Sequence, residues 1–194
     1  MAAGLLVVMS GPSGVGKTTI AHRVRDAVDG VFSVSVTTRA PGPGEVDGED
    51  YTFVSEATFD DMVAQGSFLE HAKVFGRDGY GTPRDAVEAH LEAGRVVLLD
   101  IDVQGAAQVR ASMPDACMIF ILPPSDEVLR QRLTDRGRDD ASAIERRLAE
   151  ARREYDAAQA PGLYNRFVVN DELDRATHDV LSTIRGHASP AGQS

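Results

Sequence analysis

Two glycines, a lysine and a hydroxyl stand at a spacing that handles phosphate. Gly11-Pro12-Ser13-Gly14-Val15-Gly16-Lys17-Thr18 reads G-x-x-x-x-G-K-[ST], the phosphate-binding loop pattern. The glycines let backbone N–H groups converge on phosphate oxygens without Cβ clashes. A helix starting at the end of the loop adds unpaired N–H donors and a positive dipole end. Lys17 can reach the β- and γ-phosphates, and the Thr18 hydroxyl can ligate Mg²⁺. Thr19 completes the run of candidate phosphate contacts at 11–19. The expectation is a protein that binds a nucleoside triphosphate.

Two further groups carry chemistry. Asp100 closes the apolar run Val96-Val97-Leu98-Leu99, where a carboxylate would orient Mg²⁺ through its water; the alternative is a cap on the next helix. Asp102, two residues on, is expected on the same face. Two carboxylates beside a polyanion need cations as partners. The other group is arginine: Arg130, Arg132, Arg136, Arg138, Arg146, Arg147, Arg152 and Arg153. Planar guanidinium suits a phosphoryl group in transit. Most of these fit a solvated helix face paired i,i+4 with Asp135, Glu145 and Glu150. Those flanking the break Arg136-Gly137-Arg138-Asp139-Asp140 are the candidates for a closing lid.

The elements that must position these groups follow from pattern. Leu5 to Met9 is short, apolar and partly β-branched, a buried strand before the glycine loop. Ile20, Val24 and Val28 form one stripe on the helix after it. Residues 33–38 alternate as a strand, and 50–54 as another. Ser55 caps a helix ended by Gly66, with Phe59, Met62 and Val63 on its apolar face. Phe68 to Val74 reads as a strand and Gly76 to Gly81 as glycine-rich loop. From 83 the rhythm is regular: helix 83–93, strand 95–102, helix 104–111, strand 117–122, helix from Ser125 to about 134. A long helix 143–159 follows, with Ile144, Leu148 and Tyr155 inward, then strand 166–170 and helix 173–184. From Gly186 the tail reads as disordered. Alternating strands and helices predict a three-layer α/β domain with a parallel sheet and ligands at the carboxyl ends of its strands. The core is assigned to 4–32, 83–125 and 160–186, a small β-rich insertion to 33–82, a lid and its following helix to 126–159, and a tail to 187–194.

The totals are those of one globular domain. The chain of 194 residues is 42% hydrophobic and 26% charged, long enough to bury roughly 70% of its unfolded surface. A net charge of −10 disfavours a nucleic-acid or anionic-membrane surface. It leaves room for a nucleotide, which needs only local positive charge. The single Cys117 lies in an apolar run and reads as a buried structural thiol, with no disulfide framework. No basic segment precedes the first apolar run, and no run reaches the length of a membrane span. A cytoplasmic protein is expected.

Eight stretches together resemble the guanylate kinase family. They are Ser-Gly-Pro-Ser-Gly-Val-Gly-Lys-Thr at 10–18, Ser-Val-Thr-Thr-Arg at 35–39, Pro-Gly-Glu-Val-Asp-Gly-Glu-Asp-Tyr at 43–51 and Phe-Leu-Glu-His-Ala at 68–72. The others are Tyr-Gly-Thr at 80–82, Leu-Asp-Ile-Asp-Val-Gln-Gly at 99–105, Phe-Ile-Leu-Pro-Pro-Ser at 120–125 and Val-Asn-Asp at 169–171. The resemblance implies a P-loop NTPase-type core, a GMP-binding domain and a lid. It implies transfer of a phosphoryl group from ATP to GMP with Mg²⁺, and no nucleic-acid, membrane or protein partner. By position, Glu70 matches the guanine reader, and Thr82 and Asp102 complete the guanine contacts. Ser35, Arg39, Tyr51 and Tyr80 match the clamp on the GMP phosphate. Arg136 and Arg147 match lid arginines at the ATP phosphates, and Asn170 a contact near adenine. Lys17, Arg39, Arg136 and Arg147 are then the groups that stabilise charge in transit.

The chain departs from the family at two places. Gly42 stands where a second phosphate-clamp arginine is usual, and the loop Gly76 to Tyr80 is one residue longer than the common form. Either GMP binds more weakly than is usual, or Arg77 partly replaces the missing cation. Two rival readings are a kinase-like scaffold without catalysis and a kinase of another small phosphorylated substrate such as a ribose bisphosphate. Neither needs the loop together with Glu70, Thr82 and Asp102.

Overall fold

The computed structural model describes residues 4–74, 77–135, 137 and 140–188. Among them the chain builds two sheets. The larger has β1 (Leu5–Ser10) at its centre, flanked by β7 (Val96–Asp100) and β8 (Cys117–Leu122), with β2 (Val31–Phe32) and β9 (Arg166–Val169) at the edges. All four pairings are parallel. The period of two in β1 sorts its side chains between two cores. Val7 and Met9 join Ile20, Ala21 and Val24 of α1 (Lys17–Val28) and Ala176, Val180 and Ile184 of α7 (Leu173–Ala188). Leu6 and Val8 join Val87 of α3 (Arg84–Glu92) and Ala106 and Val109 of α4 (Val103–Ser112). This is the expected three-layer arrangement. Each fully buried side chain of this kind contributes about 1.5–3 kcal/mol, so the central strands are the rigid base of the site.

The second sheet is made from residues 36–83. Its order is β4-β3-β6-β5: β4 (Thr52–Phe53), β3 (Val36–Thr37), β6 (Asp78–Pro83) and β5 (Phe68–Val74). Phe59 of α2 (Glu56–Ala64) packs under it with Val36 and Phe68. Ser55 caps α2, accepting from the Thr58 N–H. Two expectations fail here. Of the strand expected at 33–38 only Val36–Thr37 is strand, paired with β6 and β4 in this sheet, while a separate strand just before it, Val31–Phe32, pairs with β7 in the core sheet. The alternation of residues signals extended chain and says nothing of which sheet receives it. The loop expected at Gly76–Gly81 is in its larger part strand β6. Its glycines serve close approach rather than a turn. A Cβ on Gly79 would lie 2.8 Å from the Phe59 ring, and one on Gly81 2.7 Å from the Phe68 ring.

After β8, Ser125 accepts from the Val128 N–H and starts α5 (Asp126–Asp135). Asp140 caps α6 (Ala141–Ala158). Leu129 and Leu133 pack on Ile144, Leu148 and Ala151 between the two helices. Tyr155, expected inward, is 43% exposed. It stands at a groove of about 320 Å³ with Pro124, Leu129 and Val169, while the small Ala151 and Ala158 complete the buried stripe. The arginines expected to pair within a helix bridge the two helices instead: Arg130 of α5 with Glu145 of α6, and Arg152 of α6 with Asp126 of α5. Helix α7 continues through Gly186 to Ala188, past the start expected for the tail. Arg136, Arg138 and the end of the tail lie outside the described residues.

Candidate active site

The glycine loop leaves β1 at the carboxyl end of the sheet and enters α1, as its pattern requires. Gly16 is in the left-handed region at φ 92° and is the N-cap of α1. A Cβ there would sit 2.5 Å from Asn170 Nδ2, so glycine is needed for space as well as for backbone. The side chain of Gly16's neighbour, Lys17, is ion-paired with Asp100 Oδ1 at 2.7 Å, and Thr18 Oγ1 donates to Asp100 Oδ2 at 3.0 Å. Asp100 is thus bound to the loop and caps no helix. The cap is Asp102, whose Oδ1 accepts from the Gly105 N–H at 2.8 Å. The strand ends at Asp100, short of the expected 102. Both carboxylates still reach one cavity of about 330 Å³, lined also by Gly11, Ser13, Gly14, Gly16, Lys17, Thr18 and Thr19.

That cavity holds a residue that sequence reasoning missed. Glu154 of α6 lines it. Burial pushes its carboxyl up to about 7; Lys17 opposes the shift, and Glu150 and Asp102 add to it. A neutral carboxyl beside phosphate avoids like-charge repulsion. Nothing in its local spacing marks it out. Arg147, expected here, does arrive: its Nη1 donates to Ser13 Oγ at 2.8 Å. Pro12 and Val15 are buried in the loop, and Val15 is covered completely. The Asn170 side chain is buried and donates from Nδ2 to the Val15 carbonyl at 2.7 Å.

A second cleft, of about 680 Å³, runs between the two sheets. Thr18 and Asp100 line it at one end; Ser35, Tyr51 and Thr82 line the other side. The two cavities therefore share the residues next to the phosphate loop. Behind Thr82 stands Glu70, its partner across the β5–β6 ladder. Thr82 Oγ1 donates to Glu70 Oε1 at 2.6 Å, and Glu70 is only 7% exposed. Burial pushes the Glu70 carboxyl above its ordinary value, Thr82 pulls it back, and the charge of Asp102 raises it again. Gly105 opens the space beside it, since a Cβ there would lie 2.8 Å from Glu70 Oε2. Glu70 is thus a buried carboxylate with one oxygen paired by Thr82 and the other packed against Gly105.

Near the Thr37–Phe53 end of the second sheet, four side chains form a cationic clamp. Arg39 Nε donates to Tyr80 Oη at 3.1 Å, and its guanidinium lies 5.3 Å from the Tyr51 ring centre. Tyr51 and Tyr80 meet edge to face. Glu45, which sequence reasoning did not single out, takes both Arg39 nitrogens, at 2.8 and 2.9 Å, and the Gly42 N–H at 2.5 Å. The Glu45 hydrogen bonds, then that of Tyr80, hold the Arg39 guanidinium firmly charged, and Arg39 with the Gly42 N–H holds Glu45 below its usual range. Glu45 fills the fork a phosphate would fill. Arg77 is exposed at the turn between β5 and β6. The structure thus brings Lys17, Thr18, Asp100 and Asp102 to one cavity, with Arg147 bonded to Ser13 at its rim, and Ser35, Tyr51 and Thr82 to the adjoining cleft. Arg39, Tyr51 and Tyr80 make the clamp, and Asn170 is behind the loop.

With this geometry the chain can be compared with known proteins. The guanylate kinase family model matches residues 4–187. A guanylate kinase of Thiobacillus denitrificans is 47% identical over 183 residues, covering 94% of this chain and 86% of that protein. One of Alkalilimnicola ehrlichii is 51% identical over 180 residues, covering 91% and 86%. The crystal structure of guanylate kinase from Anaplasma phagocytophilum superimposes with a TM-score of 0.74 at 33% identity, covering 97% of this chain and 88% of that one. A family match over nearly the whole chain, on a fold whose glycine loop lines one cavity and whose Ser35, Tyr51 and Thr82 line the adjoining cleft, places the protein in the guanylate kinase family.

Proposed function

We propose that the chain works in the cytoplasm and transfers the γ-phosphoryl group of ATP to GMP, giving ADP and GDP, with each site residue in the following role. The observation that carries this reading is the pair of cavities joined at Thr18 and Asp100. A donor on the glycine loop and an acceptor in the cleft would meet there. The acceptor phosphate is already ionised, so no general base is needed. Catalysis is alignment and charge stabilisation.

In the donor cavity, the N–H groups of the loop and Lys17 hold the phosphates of ATP, and Arg147 approaches over Ser13. Arg136 takes the same role by its position in the sequence. In the acceptor cleft, Glu70 accepts from the two donors on the guanine edge, with Thr82 and Asp102 beside it. An adenine there would leave the second oxygen of Glu70 without the donors that guanine offers, which is the origin of the selectivity. Ser35, Arg39, Tyr51 and Tyr80 take the GMP phosphate, Arg39 exchanging Glu45 for it. Asn170 lies near the adenine.

A magnesium ion fits this donor set. Thr18 Oγ1 and Asp100 Oδ2 are hard oxygen ligands 3.0 Å apart beside the phosphate cavity. Among the described residues no group of three His, Cys, Asp or Glu side chains gathers for a metal. The ion would be held chiefly by phosphate and water, as Mg²⁺ prefers, with Thr18 direct and Asp100 through water. When bound it neutralises charge on the transferring phosphoryl group.

The experiment is Glu70→Gln, assayed with GMP and AMP. Loss of the charged acceptor should lower kcat/KM for GMP by about 1.5–3 kcal/mol, or about 10- to 150-fold, and leave the ATP KM within about twofold. An equal loss toward all acceptors, or none toward GMP, would refute the assignment of Glu70.

A further inference from the structure

Arg132 belongs to the arginine cluster that reads as a solvated helix face, and its position is different. It is half-buried on α5, and its two terminal nitrogens bind two backbone carbonyls far apart in sequence. Nη1 donates to the Val15 carbonyl at 3.2 Å and Nη2 to the Asn170 carbonyl at 2.8 Å. The Val15 carbonyl is also the acceptor of Asn170 Nδ2 at 2.7 Å. Two donors thus converge on one carbonyl inside the phosphate loop. Asn170 is fixed in turn by the core sheet, its N–H donating to the Leu122 carbonyl at 2.8 Å.

The consequence is geometric. In a planar trans peptide the C=O and the N–H point in opposite directions. The carbonyl of the Val15–Gly16 peptide is pulled back toward α5 and β9. The Gly16 N–H is therefore turned the other way, off the side held by Arg132 and Asn170. Lys17 and Asp100 lie in the cavity in front of the loop, and Arg132 and Asn170 in one of about 450 Å³ behind it. The loop glycines border both. Left-handed Gly16 costs a glycine little, yet a free glycine samples many conformations, and an anion site needs its donors aimed in advance. Helix α5 lies directly under the loop. A Cβ on Gly14 would meet Leu133 Cδ2 at 2.8 Å and Leu129 Cδ1 at 3.3 Å, so Arg132 extends a packed contact.

We propose that Arg132, together with Asn170, is a positioning residue that locks the Val15–Gly16 peptide so that the Gly16 N–H presents to the nucleotide phosphates, tying the helix of the lid to the phosphate loop. The proposal rests on the loop being the ATP phosphate site. Its role is separate from stacking or binding by the arginine itself, because its bonds are to backbone carbonyls, Val15 in the loop and Asn170 behind it.

The test is binding of inorganic tripolyphosphate with Mg²⁺ by calorimetry, a ligand with phosphates and no base. The proteins are the wild type, Arg132→Met, Arg132→Lys, Asn170→Ala and the Arg132→Met/Asn170→Ala double variant. Methionine keeps the aliphatic stem, and lysine keeps one donor if methionine disturbs folding. The expected result is a Kd raised about tenfold or more by Arg132→Met, with partial recovery in Arg132→Lys. The double variant should lose less than the product of the two single losses, since both act on one carbonyl. In steady state the ATP KM should rise while the GMP KM stays within about twofold. Tripolyphosphate binding unchanged in a folded Arg132→Met or Arg132→Lys protein, with ATP alone weakened, would overturn the proposal: the arginine would then touch the nucleoside. Fully additive losses would overturn it too. Failure of the wild-type chain to bind tripolyphosphate would instead refute the loop's assignment.

Discussion

The two halves of the site are built by different means. The donor half is backbone: β1, β7 and β8 are long parallel strands buried on both faces, and the loop between β1 and α1 presents main-chain N–H groups. The acceptor half rests on β3 and β4, two residues each, and its clamp is a set of side chains held by one another, Arg39 with Glu45, Tyr80 and Tyr51. A backbone site is fixed by the fold and serves any triphosphate. A side-chain site can change residue by residue, and Gly42 is the position at which the resemblance leads one to expect a second arginine. Substitutions in the two halves should therefore differ in reach as well as in size.

The largest effect should come from the donor half. Lys17→Ala removes the cation that pairs with Asp100 and faces the cavity. Turnover should fall by about three orders of magnitude or more with every acceptor, with the circular dichroism and Tm of a folded protein. Substantial turnover in such a variant would break the distinction at its strongest point.

Glu154 gives the next effect, and it depends on pH. The unfolded chain releases this proton near the ordinary carboxylate value, and the folded chain keeps it until about 7. Between those values the native state holds the extra proton, so stability falls as pH rises through that window and then stays level. Glu154→Gln should remove this slope. Urea unfolding should show a gain of about 1–2 kcal/mol at pH 8, after discounting for partial exposure, and little at pH 5. A gain equal at both pH values would mean packing rather than charge.

The smallest effect sharpens the acceptor half. A Cβ at Gly42 would lie 3.1 Å from Glu45 Oε2 and 3.7 Å from Arg39 Nη1, room that the neighbours can make with a small shift. In Gly42→Arg the new cation can draw Glu45 away from Arg39 and restore a second donor. The GMP KM should fall about three- to tenfold with the ATP KM unchanged. Arg77→Ala, at an exposed turn, should move the GMP KM by no more than about twofold. An unchanged KM in Gly42→Arg together with a large rise in Arg77→Ala would give Arg77 the missing arginine's place.

Legibility in the sequence follows the same division. Strand β8 was readable to the residue, Cys117 to Leu122, because a wholly apolar run between polar breaks has one meaning in a parallel sheet. The glycine loop was readable because backbone chemistry leaves its mark on glycine spacing. In the insertion, strand β6 was hidden because Gly79 and Gly81 look like loop until the rings of Phe59 and Phe68 are seen above them. Asp100 and Asp102 were recognisable as a pair, yet which one caps α4 depended on where the strand stops. Glu45, Arg132 and Glu154 could not be found by local pattern. The partners of Arg132 and Glu154 lie far off in sequence, Glu45 meets Arg39 only because the loop between them folds back, and an arginine on a polar helix looks the same whether it meets water or the Val15 carbonyl. The roles of Glu70 and Thr82 came only through resemblance, since one buried carboxylate in a β-strand has no spacing signature of its own.

The central claim is that one site joins a triphosphate donor to a guanine acceptor. The direct measurement is a coupled assay of ADP release from ATP and Mg²⁺ against GMP, dGMP, AMP, CMP, UMP and ribose bisphosphate. Rapid turnover with GMP and little with AMP is the expected result. Binding of ATP without turnover on any acceptor, or preference for ribose bisphosphate, would contradict it.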